Sequence, residues 1–211
     1  MKRVATLFAL LLSASAASAY TYQIDNGNYA DSWTFTNGNT TWANHFTAVS
    51  GNNVIDKVLI AFGDNSNQNM NGQSVTIKLW NDPNGDGDPS DAVLLTSYLG
   101  TVANAGTTLF NEFDIANTAV ASSFFVGASL VAEYGTTGMM YPASIDDQLG
   151  VDSWLWSGDD PSNAYNMGTV YERGSFMVRA TTVDNSVPEP GSLALLGIGL
   201  AGLGGFRRKQ Q

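Results

Sequence analysis

The chain has 211 residues, 44% of them hydrophobic, with no cysteine, one histidine and a formal net charge of −10. That length and apolar content suit one ordinary domain with a real core and exclude disorder throughout. The missing cysteines exclude disulfide staples and thiol chemistry, and with a single histidine they exclude zinc sites of the usual His and Cys kind.

The start, Met1 to Ala19, has two bases (Lys2, Arg3), an apolar run from Val4 to Leu12 and small residues ending Ala17-Ser18-Ala19. This is the pattern of a signal peptide, with signal peptidase expected to cut between Ala19 and Tyr20. The apolar run falls short of the ~20 residues that span a bilayer. Between Tyr20 and Ser186, four bases (Lys57, Lys78, Arg173, Arg179) stand against eighteen carboxylates. A field of that sign repels nucleic acid and anionic lipid and favours cations.

Residues 20–186 hold short β-prone runs separated by Gly, Asn, Asp and Pro clusters, and no long run of helical period, which predicts an all-β, antiparallel jelly-roll-like sandwich. Trp42-Ala43-Asn44-His45-Phe46 reads as a strand with His45 paired or exposed rather than catalytic. Val54 to Phe62 is a second strand, and Asn65 to Gly72 a polar surface loop. Val75-Thr76-Ile77-Lys78-Leu79 is the clearest strand, half-buried, with Val75, Ile77 and Leu79 on one face. Further strands are predicted at Val93 to Val102, Leu109 to Ile115, Phe124 to Glu133 and Ser175 to Val183, the last alternating Phe176, Val178 and Ala180 against Met177, Arg179 and Thr181. Around Asp88 to Leu95 and Phe125 to Ser129 the chain is similar to uncharacterised sandwich domains of other exported bacterial proteins, a likeness that brings no known activity.

Asp82-Pro83-Asn84-Gly85-Asp86-Gly87-Asp88-Pro89-Ser90-Asp91 fits the opening D-x-[DN]-x-[DN]-G of a calcium loop. Oxygen donors at alternate positions converge on one hard cation, and Gly87 permits the sharp turn. Asp82, Asn84, Asp86 and Asp88 are the candidate ligands. The twelfth position is Val93 rather than a bidentate Glu, so Asp91 is the candidate closing ligand, and strands rather than helices flank the loop. The same residue types also make a plain polar turn.

Trp154 and Trp156 lie two apart on a predicted strand and so share a face, with Asp152, Asp159 and Asp160 nearby in sequence. Such rings serve as stacking platforms for sugars, or else they fill a sandwich core. The pairs Asp146-Asp147 and Asp159-Asp160 are the carboxylates a glycosidase would need. Neighbours on a strand point to opposite faces, however, which argues against an enzyme.

The end of the chain reads Val187-Pro188-Glu189-Pro190-Gly191-Ser192, then an apolar run from Leu193 to Phe206, then Arg207-Arg208-Lys209. The two prolines hold Glu189 in extended backbone that a protease can grip. The basic cluster places the terminus on the cytoplasmic side of a short membrane helix. Gly197, Ala201 and Gly205 would line one face of that helix with small side chains. These features in this order resemble the PEP-CTERM sorting signal, over residues 187–211 only. The resemblance implies an exosortase substrate, with Pro188, Glu189 and Pro190 as the sorting motif. It also implies transient insertion in the inner membrane and display at the cell surface, in the envelope or in the exopolysaccharide or biofilm matrix of a Gram-negative bacterium.

The expected function is a non-catalytic adhesion or carbohydrate-binding module aided by calcium. The second reading is a structural matrix protein without a specific ligand, and the third a glycan-active hydrolase using two aspartates.

Overall fold

The computed structural model describes residues 19–34, 38–63, 70–132 and 140–183. The signal peptide up to residue 18, the Pro188-Glu189-Pro190 motif and the apolar run from Leu193 lie outside the described residues. Among the described residues, no helix is long and apolar enough to cross a membrane.

The described residues are almost all strand, loop and turn, in an all-β fold of antiparallel sheets. In chain order the strands are β1 (Thr21–Tyr22), β2 (Asp31–Trp33), β3 (Gly38–Thr47), β4 (Val54–Ile60), β5 (Ser74–Asn81), β6 (Val93–Thr101), β7 (Asn111–Ala119), β8 (Ser123–Ala132), β9 (Ala143–Leu149), β10 (Ser153–Ser157), β11 (Tyr165–Asn166), β12 (Gly174–Phe176) and β13 (Val178–Thr182). A four-residue helix, α1 (Met167–Val170), follows β11. One sheet has the order β1-β13-β4-β7, a second β11-β10-β3-β8-β5-β6, and a small third β12-β9-β2. From β3 to β8 the chain passes between the first two sheets except at the β5–β6 hairpin, so many neighbours in these sheets, such as β3 and β8 or β13 and β4, come from distant parts of the sequence.

The first two sheets enclose one apolar core, because the alternating residues of each strand that face inward are the large hydrophobic ones. Trp42 and Phe46 of β3, Val75, Ile77 and Leu79 of β5, and Phe124 and Val126 of β8 meet Ile55, Val58 and Ile60 of β4, Phe113 of β7, and Val178 and Ala180 of β13. The rings pack edge to face, as Tyr22 does on Phe124 (5.1 Å between centroids) and Trp42 on Phe62 (6.2 Å), the geometry that aromatic quadrupoles favour.

Three expectations need correction. The run from Ser175 to Val183 is not one strand: it breaks at Met177, with Phe176 opposite Ile145 in the small sheet and Val178 opposite Ile60 in the four-stranded one. Met177 is therefore buried, not outward-facing. Its amide donates to the Ser144 carbonyl, and its own carbonyl accepts from the Ala61 amide. Buried Asn44 holds this crossing: its Nδ2 donates to the carbonyls of Phe176 (2.8 Å) and Val178 (2.9 Å), and its Oδ1 accepts from Ser153 Oγ (2.7 Å). Secondly, β5 is buried on both faces at Lys78 and Trp80, because loops cover the outer side of the six-stranded sheet. Thirdly, most of the loop expected over residues 65–72 lies outside the described residues, and in its described part Met70 is buried and joins the core.

Candidate functional site

The outer face of the six-stranded sheet carries a second apolar cluster of Ala43, Trp80, Phe125 and Trp156, with Trp154, Ala92 and Ala164 packed against it. Trp154 pairs with Ala43 and Trp156 with Thr41 across β10 and β3, so both indoles share this face as their spacing predicts. Trp156 is 1% exposed and sits edge-on to Trp80, 5.5 Å between centroids. A ring enclosed in this way has no free face on which to stack a sugar. Trp154 is half-buried in the same cluster.

Two acidic loops cover this cluster, 82–92 and 157–164, each built around a single 3-10 turn started by Pro89 or Pro161 and capped by the preceding aspartate, Asp88 or Asp160. Asp159 reaches Lys78 Nζ at 2.6 Å, and Thr41 Oγ1 donates to the Gly158 carbonyl at 2.7 Å.

The first loop is anchored by Asp82, 2% exposed. Its carboxylate accepts from the amides of Gly85 and Gly87, both at 2.9 Å, and from Ser123 Oγ at 2.7 Å. Gly85 and Gly87 have φ of +74° and +77°, which glycine adopts without steric cost. Burial pushes the Asp82 carboxyl up, but the bonds from Ser123, Gly87 and Gly85 and the nearby His45 outweigh it, so its pKa lies below the ordinary value. Within this loop single carboxylate oxygens of Asp82, Asp86 and Asp91 come within 4.8 Å of one another. An all-oxygen set of this kind suits a hard cation such as calcium rather than zinc or copper.

Three of the expected ligands, Asp82, Asp86 and Asp91, thus converge. Asn84, Asp86 and Asp88 are all engaged in turn bonds, Asp86 Oδ1 accepting from the Asp88 amide at 2.8 Å. Asn84 Oδ1 accepts from the Asp86 amide (2.9 Å) while its Nδ2 donates to Asp86 Oδ2 (3.0 Å), and Asp88 Oδ1 accepts from the Ser90 amide (2.8 Å).

Sequence reading missed that His45 and Ser123 belong to this site, because the residues lie far apart in the chain. His45 Nε2 is 2.6 Å from Ser123 Oγ and 3.7 Å from Asp82 Oδ2, and its Nδ1 is 3.6 Å from Asp152 Oδ1. The set superficially suggests a nucleophile and base. The ionised Asp82 only accepts, so Ser123 gives its one proton to Asp82 and His45 Nε2–H must donate to Ser123. Ser123 is then a buried buttress for the loop, with no proton left to hand to His45.

A separate polar cleft of about 340 Å³ opens beside β2, β9 and β12, lined among others by Asp31, Asp147, Gln148, Glu172 and Arg173. Asp146 beneath it is buried and accepts the amides of Asn26 (2.8 Å), Gln148 (3.0 Å) and Ser175 (2.8 Å). Asp147 is exposed and accepts from Asn26 Nδ2. The pair thus points to opposite faces. Glu172, at φ +50°, holds a left-handed conformation that non-glycine residues seldom adopt. Beside it the Arg173 guanidinium lies 5.6 Å from the Trp33 ring.

An all-β sandwich with an acidic, oxygen-only loop is the class that this geometry defines. Residues 186–209 match the PEP-CTERM protein-sorting motif, so the chain carries the signal of an exosortase substrate, which implies export to the cell envelope or surface. No curated protein matches by sequence. Among solved structures, the chain is similar to that of the cysteine protease and lectin-like domains of Cwp84, a surface layer associated protein of Clostridium difficile, with 14% identity and a TM-score of 0.54 over 81% of this chain and 37% of that one. It is also similar to a clostridial Cwp84 variant after propeptide cleavage, with 13% identity and a TM-score of 0.53 over 81% and 41% of the two chains. The likeness is one of fold. This chain spans less than half of either neighbour and contains no cysteine.

Proposed function

We propose that this chain is a non-catalytic adhesion module of jelly-roll connectivity, displayed at the cell surface, whose outer loops are locked by calcium and which binds extracellular carbohydrate. The single observation that carries the reading is the convergence of Asp82, Asp86 and Asp91 within 4.8 Å on a loop anchored by a buried carboxylate. Three like charges so close repel one another, and a hard cation held between them would relieve that repulsion. The crossings of β3 to β4, β4 to β5, β6 to β7 and β7 to β8 between two facing sheets support the jelly-roll assignment, an architecture that hosts lectin domains, and the likeness to a chain containing a lectin-like domain agrees with it.

With Trp156 enclosed, the sugar-binding role falls to the polar cleft. There Asp31, Asp147 and Glu172 would accept from hydroxyl groups and Arg173 would donate, the few convergent polar groups that fix a ligand. The test is binding of the protein to exopolysaccharide from its own host in calcium and in chelator, repeated with Arg173→Ala. Saturable binding weakened by chelation and by the substitution is expected, and an absence of binding in both buffers would leave the structural matrix reading.

A further inference from the structure

We propose that the polar cleft continues into an aromatic row of Trp33, Tyr171 and Tyr165, and that the two together hold a chain of uncharged pyranose sugars, its end in the cleft and its following units along the row. This inference rests on the carbohydrate-binding reading of the cleft and names the class of glycan it takes. At about 340 Å³, the cleft is near the lower end of the ~300–1,000 Å³ of small-ligand sites. A polymer therefore enters it with only a short piece of its chain, and the surface beside the cleft meets the rest.

Arg173 joins the two parts, since it lines the cleft and sets its guanidinium beside Trp33. The Trp33 ring lies 4.8 Å from Tyr171, and Tyr171 lies 6.0 Å from Tyr165, between centroids. Trp33 and Tyr171 are half-buried and also pack on the main core, so they back the row, whereas Tyr165 is 42% exposed. Tyr165 stands opposite the core residue Leu155 on β11, which ends the six-stranded sheet. Its ring thus leaves the sheet on the inner side, at the rim of the core, where it meets Tyr171. The segment that carries these groups is held at several points. The Asn166 side chain accepts from the Thr169 amide at 2.9 Å, the Arg173 amide donates to the Met167 carbonyl at 3.0 Å, and the Arg173 carbonyl accepts from the Gly150 amide at 2.8 Å. Glu172, left-handed at φ +50°, lies between Tyr171 and Arg173. Strain of that kind persists only where its surroundings enforce it, and here it fixes a ring on one side and a guanidinium on the other. Groups fixed in advance lose little freedom when a ligand binds.

Charge selects the class of sugar. Asp31, Asp146, Asp147 and Glu172 line the cleft, and Arg173 is the one base among the lining residues. A uronate or a sulfated sugar would bring its own anion among these carboxylates and be repelled. A neutral pyranose instead offers hydroxyl groups to the carboxylates and an apolar C–H face to a tyrosine ring.

The test is calorimetric titration of the full chain, in calcium throughout, with disaccharides and hexasaccharides released from the neutral and the uronate-bearing fractions of the host's exopolysaccharide. The neutral hexasaccharide should bind at least about tenfold more tightly than the neutral disaccharide, the increment that one well-placed tyrosine supplies. Tyr165→Ala should remove that gain while leaving disaccharide binding and the thermal melt unchanged, and Tyr165→Phe, which keeps the ring, should retain it. A gain that survives Tyr165→Ala, equal losses at both lengths, or uronate-bearing oligosaccharides bound as tightly as neutral ones would each overturn the proposal. Binding lost in Arg173→Ala but indifferent to Tyr165→Ala would refute the aromatic row and leave the cleft standing. No binding of any oligosaccharide would remove the carbohydrate reading itself, and this proposal with it.

Discussion

The two faces of the six-stranded sheet are held by different physics. Inward, Trp42, Phe124 and Leu79 meet the four-stranded sheet in a core closed by apolar packing and the Asn44 bridge. Outward, a smaller cluster around Trp80 and Trp156 is roofed by two acidic loops that hold their shape through aspartate-to-amide turns. The same β-strands therefore serve one face that needs no ion and another whose cover is a concentration of negative charge. Perturbing one face at a time separates them.

The largest effect is expected inside. Asn44→Leu removes the donor to the Phe176 and Val178 carbonyls and the acceptor of the Ser153 hydroxyl proton, leaving these groups buried without those partners. The expected loss is about 3 kcal/mol in a urea titration. That loss should be equal in calcium and in chelator, because nothing at the strand crossing touches the acidic loops.

On the outer face, Asp82→Ala should cost about 2 kcal/mol in chelator, through the loss of three hydrogen bonds to a buried carboxylate. It should also abolish any further gain on adding calcium. The wild-type protein in chelator adds a pH signature. Because the folded Asp82 carboxyl lies below its ordinary value of 3.8, its contribution is present above that value. It is lost as pH falls through the lower folded value, whereas Asp82→Ala should show less acid sensitivity across that window.

The smallest effect belongs to the second roof loop. Lys78→Met breaks the 2.6 Å pair with Asp159, whose side chain is 78% exposed. Solvent screening limits the cost to roughly 1 kcal/mol or less by chemical denaturation.

How much of this was legible beforehand follows from which signals are local. Alternation in Val75, Ile77 and Leu79 is a local signal and marked β5 correctly. The loop's donors were visible too, since Gly87 and the alternate aspartates are fixed by spacing. The break at Met177 was not visible, because an apolar run that changes sheets alternates just as one that does not. Trp154 and Trp156 were placed on one face, but whether that face is open depends on the loop 157–164, which closes over it by tertiary contact. His45 and Ser123 lie 78 residues apart, and only the pairing of β3 with β8 brings them to Asp82.

The central claim is that a cation completes the outer face. Thermal melts of the wild-type protein in calcium and in chelator test it most directly, with Asp82→Ala as the control. The account predicts a higher melting temperature in calcium, corresponding to about 2.7 kcal/mol at a hundredfold excess over Kd, and no difference between the two buffers for the variant. Identical wild-type melts in the two buffers would contradict it and leave the loop a polar turn.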